Sequence, residues 1–270
     1  MTATINSRQG EKGFTLVELS IVMIIIGLLI GGILKGQELI ANARLAAAVS
    51  KVKAIDAAMN TFRDSYATLP GDATNPATRF PNCTTGKCSR AGDGNNLIGT
   101  PSATGTVAGQ AAATENLTAW AQLAATDLLG GIRNGTTADE AISGTTVPSA
   151  EVPGQIYIGY ENGTVRPTGT TASESIPRAG HYLLIHNGST GSGAAAAASG
   201  ATTGSLTPSQ ASRIDTKLDD GSPNIGAVVA MGAVSSGTPP TGCTSAATDA
   251  ATYASAVTGL TCGVYIRVQQ

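Results

Sequence analysis

The sequence is poor in aromatic residues, in charged residues and in histidine. Aromatic side chains make up 4% and charged side chains 13% of its 270 residues, and it has two histidines. Because the formal net charge is -2, there is no excess of positive charge to hold nucleic acid by its phosphates, and we exclude that class of partner. The chain is long enough for one fair-sized core or two small ones, which must be built from small aliphatic side chains.

The side chains that most enzymes use are also scarce. His181 and His186 lie five positions apart in one predicted strand, which places them on opposite faces. The sequence shows no nucleophile turn with serine, histidine and aspartate, no phosphate-binding glycine loop and no helical carboxylate pair at metal-ligand spacing. Asp219 and Asp220 precede Gly221 and are predicted to form the turn at a helix end. We therefore expect no enzymatic activity.

In contrast, the sequence contains a long apolar run at residues 14–34. As a helix it would be about 32 Å long at ~1.5 Å per residue, which matches the ~30 Å hydrocarbon core of a bilayer. Glu18 lies inside this run, near one end. A charge at the centre of a span costs at least ~2.5 kcal/mol, so such residues usually have a partner or a function. Glu18 alone leaves two interpretations open, a carboxylate that snorkels to the interface and one that has a partner.

The residues around Glu18 form a recognisable motif. A polar leader, MTATINSRQGEKG at residues 1–13, gives way to the apolar run between Gly13 and Phe14. Cleavage at that point would keep the apolar segment, whereas an ordinary secretory signal loses it. The stretch GFTLVE at residues 13–18 resembles the processing motif of type IV prepilins and type II secretion pseudopilins.

The resemblance implies a structural subunit of an extracytoplasmic filament. A prepilin peptidase and methylase would cleave after Gly13 and methylate Phe14, and Glu18 would act in assembly by meeting the new amino terminus of a neighbouring subunit. The partners implied are copies of the chain or related pilins, membrane lipid before assembly, and the inner-membrane assembly machinery. The precursor would cross the inner membrane once, and the product would be a periplasmic or extracellular filament.

Several alternatives remain open at this point. The same N-terminus serves type IV pili, type II secretion pseudopili and DNA-uptake filaments. The chain could also be a minor tip pilin whose head is an adhesin or a substrate-binding module. Ala41 and Ala43 form an A-x-A site that a conventional signal peptidase could read, which would start a soluble protein at Arg44. The length of the apolar run and the helical pattern beyond Ala43 argue against that reading.

The predicted fold class is α+β, with a long N-terminal helix and an extracytoplasmic head with an antiparallel sheet. Residues 14–35 are predicted to span the membrane, residues 36–69 to continue as an amphipathic helix that Pro70 stops, and residues 70–270 to form the head. The helix stripe is expected at Leu39, Ala43, Ala46, Val49, Val52, Ala57, Met59 and Phe62. Gly27, Gly31, Gly32 and Gly36 would either bend the helix or allow close helix packing.

The head contains recognisable elements of both kinds. One helix is predicted from a cap at Thr114 to Gly130, and another from a capping box of Thr207 with Gln210 to Gly221. Strands are predicted in QIYIGYE, HYLLIHNG, NIGAVVAMG and GVYIRVQ. Residues 187–205, rich in glycine, alanine and serine, are expected to be a flexible insertion.

The four cysteines fall into two local pairs, Cys83 with Cys88 and Cys243 with Cys262. In an exported chain this spacing favours two disulfides, although four cysteines allow three connectivities. We prefer the sequential pairing because each pair brackets a loop. A metal site at CTTGKC is disfavoured, since no second cluster of cysteine or histidine lies near it in sequence.

Short blocks in the head resemble a subgroup of long prepilin-like proteins that carry LPGD after the helix. These blocks are YATLPGDA, GDGNN, the tryptophan-containing helix and IDTKLDDGSP, and GDGNN has Asn96 where the subgroup has glycine. Some pseudopilin heads bind calcium, and Asp72, Asp93 and Asn95 are weak candidate ligands here. Because three oxygens are too few for calcium, we favour a glycine-rich turn stabilised by Asp93 and expect no cofactor.

Overall fold

The computed structural model describes residues 13–99, 115–133, 142–163, 178–187, 204–232, 242–246 and 248–268. The chain forms two compact units, Met1–Ala43 and Arg44–Gln270. Three sequence predictions fall wholly or mostly outside the described residues: the leader up to Lys12, the cap at Thr114 and the insertion at residues 187–205.

Helix α1, Leu16–Tyr66, is 51 residues long and is unbroken at its four glycines. It ends at Tyr66 rather than at residue 69, because Ala67 adopts a left-handed conformation with φ of 50° and its N–H donates to the Arg63 carbonyl at 2.8 Å. The helix is long and apolar enough to cross a membrane by length and composition. This agrees with the predicted composite of an apolar first part and an amphipathic second part.

Of the eight residues predicted to form the apolar face of α1, four are buried and four are exposed. Val49, Val52, Met59 and Phe62 are buried as expected, but Leu39, Ala43, Ala46 and Ala57 are exposed. The buried set is completed instead by Leu45, Ala48, Ile55 and Ala58. These eight positions follow one another at intervals of one or three residues, which keeps them on one side of the helix. The two-residue step from Ala57 to Met59 in the predicted stripe does not fit that period.

The head contains one four-stranded antiparallel sheet in the order β1-β2-β4-β3. Its strands, all predicted from sequence, are β1 at Gln155–Glu161, β2 at Gly180–His186, β3 at Val228–Met231 and β4 at Gly263–Arg267. Both faces are covered, since nearly every strand residue is buried. Helix and sheet together confirm the α+β class.

The described residues of the head contain three shorter α-helices: α2 at Pro76–Arg79, α3 at Glu115–Ala125 and α4 at Pro208–Leu218. Helix α3 ends five residues before the predicted stop at Gly130, because Asp127 is left-handed and the N–H groups of Leu128 and Leu129 both donate to the Leu123 carbonyl. Helix α4 begins with the expected capping box, in which Thr207 and Gln210 each accept the other's backbone N–H.

The few aromatic residues of the head are partly concentrated where α1 meets α2. The rings of Phe62, Tyr66 and Phe80 lie 4.8 to 5.0 Å apart by their centroids. Phe62 and Phe80 are buried, and all three belong to or pack against the single hydrophobic core. Tilted and edge-on aromatic pairs at this distance add about 0.5–1.5 kcal/mol to the burial of their area. The cluster fixes the end of α1 in the head.

Two disulfides are present, Cys83–Cys88 and Cys243–Cys262. Their Cα atoms are 5.2 and 5.0 Å apart, and all four cysteines are buried. Cys88 lies in a 3₁₀ turn, Lys87–Ser89. The second bond ties the start of β4 to the loop that follows β3.

Non-reducing peptide mapping of the exported protein is expected to link Cys83 to Cys88 and Cys243 to Cys262. The longer loop should make the second bond the more stabilising one: replacing its cysteines by serine should lower the free energy of unfolding by about 3 kcal/mol, against about 2 kcal/mol for the first pair. Free thiols or crossed linkages in the exported protein would contradict the pairing.

Candidate functional site

In the N-terminal unit the residues predicted to be processed lie outside any helix. Gly13, Phe14 and Thr15 precede the first helical residue, Leu16, and the side chain of Phe14 is 88% exposed. The peptide bond between Gly13 and Phe14 therefore lies in exposed, non-helical chain. This is the local geometry that a peptidase requires of a bond it cleaves, because a regular helix would engage the backbone groups on which it acts.

Glu18 closes a capping box at the start of α1. Its Oε2 accepts the Thr15 N–H and the Thr15 hydroxyl, both at 2.9 Å, and its own N–H donates to Thr15 Oγ1 at 3.2 Å. Thr15 is thus the N-cap residue and Glu18 the third residue of the helix. This role was not predicted, although the T-x-x-E spacing of Thr15 and Glu18 is a readable sequence signal for it.

The first part of α1 carries a continuous apolar surface. The exposed large apolar side chains of this unit are Phe14, Leu16, Val17, Leu19, Ile21, Val22, Met23, Ile24, Ile25, Ile26, Leu28, Leu29, Ile30, Ile33, Leu34, Leu39 and Ile40. An exposed apolar surface of this extent marks a membrane or protein contact. The first ion pair along the described part of the helix, Lys35 with Glu38 at 2.7 Å, follows the end of the apolar run.

In the head, two of the three predicted calcium candidates lie together and a residue not predicted joins them. Asp72, Asp93 and Glu115 each offer an oxygen, and these oxygens lie within 4.8 Å of one another. Asn95 instead belongs to the turn: its amide donates to Asp93 Oδ2 at 2.8 Å and accepts the Leu97 N–H at 2.7 Å. Glu115 was missed because no local pattern relates it to Asp72, which is 43 positions away.

The turn after Asp93 has the predicted glycine-rich geometry. Asp93 Oδ1 accepts the Asn95 N–H at 3.0 Å, as in an Asx turn. Asn96 has φ of 62°, a left-handed conformation that glycine adopts freely and asparagine tolerates best among other residues. The glycine that the resembling subgroup has at this position is thus explained by backbone conformation.

A second acidic group lies at the end of α4. The carboxyl of Asp215 accepts the Tyr253 hydroxyl at 2.8 Å and the Gly221 N–H at 3.1 Å, and burial raises the pKa of Asp215 to about 7. Asp219 accepts the N–H groups of Ala227 and Val228. The prediction that Asp219 and Asp220 form the turn at a helix end agrees with this geometry, since Asp219 is the C-cap of α4.

The two histidines of β2 are buried and occupy separate surroundings. His181 Nε2 accepts the Ile98 N–H at 3.1 Å, and its ring lies edge-on to Tyr160. His186 lies at the other end of the strand, opposite Gln155 of β1. Burial lowers the pKa of each to about 4. Both rings are therefore neutral at physiological pH.

Glu161, at the end of β1, is a buried carboxyl that the sequence analysis did not single out. It is 1% exposed, and its Oε1 has no hydrogen-bond partner among the described residues. Burial raises its pKa to about 8. The folded protein therefore holds Glu161 in its neutral form at pH 7, whereas the unfolded chain ionises it above about pH 4.5.

This proton linkage predicts a pH-dependent effect of Glu161→Gln. The unfolded chain loses the Glu161 proton at lower pH than the folded protein, so this residue's contribution to stability falls as pH rises from about 4.5 to 8. The variant should gain stability relative to wild type across that window, by at most about 1.4 kcal/mol per pH unit. Denaturant unfolding at pH 5 and pH 8 measures the difference.

Glu151→Gln is the matched control for this experiment, because Glu151 is exposed and lies shortly before the same strand. It should leave the pH dependence of unfolding close to that of wild type. A constant difference between wild type and Glu161→Gln from pH 5 to pH 8 would contradict the linkage.

Comparison with known proteins identifies the N-terminal segment. Residues 8–34 match the family model of the prokaryotic N-terminal methylation motif. No curated protein and no solved structure matches the chain. The match covers the processing residues and the apolar run and supports the prepilin and pseudopilin family, whose members are structural subunits rather than enzymes. It does not reach the head, so the resemblance to the LPGD subgroup stays a prediction.

Proposed function

We propose that the chain is a prepilin-like structural subunit of an extracytoplasmic helical filament, a type IV pilus or a type II secretion pseudopilus. The observation that carries the proposal is the exposed apolar start of α1, which lies within the methylation-type motif matched at residues 8–34. The motif and the long apolar helix also fit a membrane-anchored precursor. A prepilin peptidase and methylase and the inner-membrane assembly machinery are its proposed partners.

The exposed apolar side chains of α1 must be shielded from water both before and after the subunit is assembled. Before assembly, lipid covers them, since the run is about as long as the hydrocarbon core is thick. In a filament outside the membrane, the same side chains require neighbouring apolar helices, because water does not cover that area without a large cost. Filament assembly through the N-terminal helix supplies that cover, and copies of this chain or of related subunits provide it.

Glu18 has two proposed roles at different stages. Within one chain its carboxylate caps α1 through Thr15. Cleavage before Phe14 then creates a positive amine, which in a filament would lie beside Glu18 of a neighbouring subunit. A buried charge without its partner costs on the order of 3–5 kcal/mol, so docking in the correct axial register removes a penalty that a misregistered subunit keeps. The Glu18 carboxylate thereby favours subunits that dock in the correct axial register.

Processing gives the most direct test of this proposal. Intact-mass measurement of the mature chain from its host should show Phe14 at the amino terminus, carrying one methyl group. A mature chain that begins at Arg44 would instead indicate a soluble product of conventional signal peptidase and would refute the filament subunit. Abundance of the mature chain in sheared filaments separates a major subunit from a minor tip subunit.

Substitutions at the capping box separate its two proposed roles. Glu18→Gln keeps an oxygen that can accept the Thr15 N–H but removes the charge, whereas Thr15→Ala removes the hydroxyl of the cap and keeps the charge. We expect Glu18→Gln and Glu18→Val to be inserted and cleaved normally but to enter filaments about tenfold less or worse. Thr15→Ala should weaken the helix start by about 1 kcal/mol and assemble close to wild type.

The measurement is the ratio of processed subunit in the sheared fraction to that in the membrane fraction. Ser20→Val controls for the general effect of making the apolar segment more apolar. Ser20 lies in the same segment, and its hydroxyl donates to the Val17 carbonyl of its own helix. Normal assembly of Glu18→Gln together with poor assembly of Thr15→Ala would show that the cap, rather than the charge, is needed.

A further inference from the structure

The turn after α4, at residues 219–227, covers the outer edge of strand β3. This strand lies at one end of the described sheet, next to β4. The Val228 N–H donates to Asp219 Oδ2 at 3.2 Å. The Ala230 N–H donates to the Pro223 carbonyl at 2.7 Å. These two backbone donors, which an edge strand would otherwise offer to another chain, are thus bonded within the protein.

The turn itself is closed by carboxylates that accept backbone N–H groups. Gly221 and Gly226 have φ of 81° and 90°, in the left-handed region. A Cβ at Gly226 would overlap the Asp219 carboxylate, so only glycine permits this approach. Asp220 Oδ1 accepts the Ser222 N–H at 2.8 Å, as in an Asx turn. The path of the turn therefore depends on the positions of these acidic side chains.

The turn and the end of α4 are both joined to the loop that the second disulfide closes. Asn224 is buried, and its Nδ2 donates to the carbonyls of Ala246 and Thr248 at 3.2 and 2.6 Å. Tyr253 lies in the same loop, and its hydroxyl donates to Asp215 Oδ2 at 2.8 Å. The carboxyl of Asp215 is therefore held between a disulfide-bonded loop and the turn that covers β3.

The surroundings of Asp215 oppose its ionisation. Its side chain is fully buried, and one of its oxygens lies within 4.8 Å of carboxylate oxygens of Asp219 and Asp220. Burial raises the pKa of Asp215 to about 7, and the charges of Asp220 and Asp219 contribute to the rise. The hydrogen bonds from Tyr253 and from the Gly221 N–H act in the opposite direction. The closed turn is thus the state in which Asp215 keeps its proton most readily.

We propose that the turn at residues 219–227 is a proton-controlled cover of the β3 edge, which a protonated Asp215 holds closed. Opening of the turn brings water to this carboxyl and separates it from Asp219 and Asp220, so that it ionises. Opening also frees the outward N–H groups of β3, the groups that bind an extended segment when a strand is added to a sheet. The proposal does not depend on filament assembly, because all of these residues lie in the head.

The direction of the pH effect follows from the proton that each state binds. In the closed turn Asp215 keeps its proton up to about pH 7, whereas in the open turn a solvated carboxyl returns toward its ordinary pKa of 3.8. Between these values the closed turn binds more protons, so each unit of rising pH favours opening by up to about tenfold. Above pH 7 both states are ionised and the effect levels off.

Hydrogen exchange of the full chain in detergent micelles, followed by mass spectrometry, tests the cover. After correction for the intrinsic exchange rate, residues 219–232 should open up to about 100-fold more at pH 7 than at pH 5, and equally at pH 7 and pH 8. Asp215→Asn replaces the acid by a neutral amide, so the ratio between pH 7 and pH 5 should be close to one. A wild-type ratio in this variant would overturn the proposal.

Glu161→Gln separates opening of the turn from unfolding of the whole head. Glu161 is also buried with a raised pKa, but it lies in β1 at the opposite end of the sheet. Global unfolding would expose Glu161, whereas opening of the turn would leave it in place. The exchange ratio of residues 219–232 should therefore stay at its wild-type value. A reduced ratio would show that these residues exchange by global unfolding and would overturn the local cover.

Asp220→Asn gives a second test that leaves the buried carboxyl intact. Asp220 is exposed, and asparagine keeps an oxygen for the Ser222 N–H. Loss of the negative charge should lower the pKa of Asp215 and reduce the exchange ratio by roughly threefold. Asp127→Asn, which removes an exposed charge after α3, is the matched control and should keep the wild-type ratio. Equal ratios in these two variants would contradict the proposal.

Discussion

The two parts of helix α1 have different environments, and the rest of the structure depends on this difference. Its second half buries Ile55 and Phe62 completely in the core of the head, while the apolar side chains of its first half are exposed. Burial of the second half contributes roughly 25 cal/mol for each Å² of apolar area and holds the helix in the head. Among the described residues of its own unit nothing covers the first half, which is why we propose lipid or neighbouring helices as its surroundings.

With so few aromatic residues, the head relies on buried polar side chains to hold its loops. Gln122 of α3 accepts the Gly71 N–H and donates to the Cys88 carbonyl at 3.3 Å, so one amide joins the turn after α1 to the first disulfide loop. His181 accepts the Ile98 N–H in the same way. Each such bond satisfies a backbone group that would otherwise be buried without a partner. Small apolar side chains fill the space between these anchors.

The capping box changes how the carboxylate in the apolar run is understood. Neither snorkelling to the interface nor pairing with a neighbour accounts for the three hydrogen bonds between Thr15 and Glu18, which start the helix two residues after Phe14. The positive end of the helix dipole also stabilises a carboxylate at this position. In the proposed precursor the cap lowers the cost of Glu18 near the end of the apolar run, and in the proposed filament the same carboxylate would meet the amine that cleavage creates.

The sequence alone determined the features that depend on neighbouring residues: the processing motif, the existence of one long helix α1, the four described strands and the capping box of α4. Each follows from a period, a cap or a turn residue within a few positions, and such local patterns act before the chain is compact. Only the tertiary structure decided which side of α1 is buried, that Glu161 is a neutral buried carboxyl, and that Glu115 joins Asp72 and Asp93. These features depend on close approach between segments tens of residues apart, and the backbone contacts at Gly71 and Gly92 that permit the approach exist only in the folded chain.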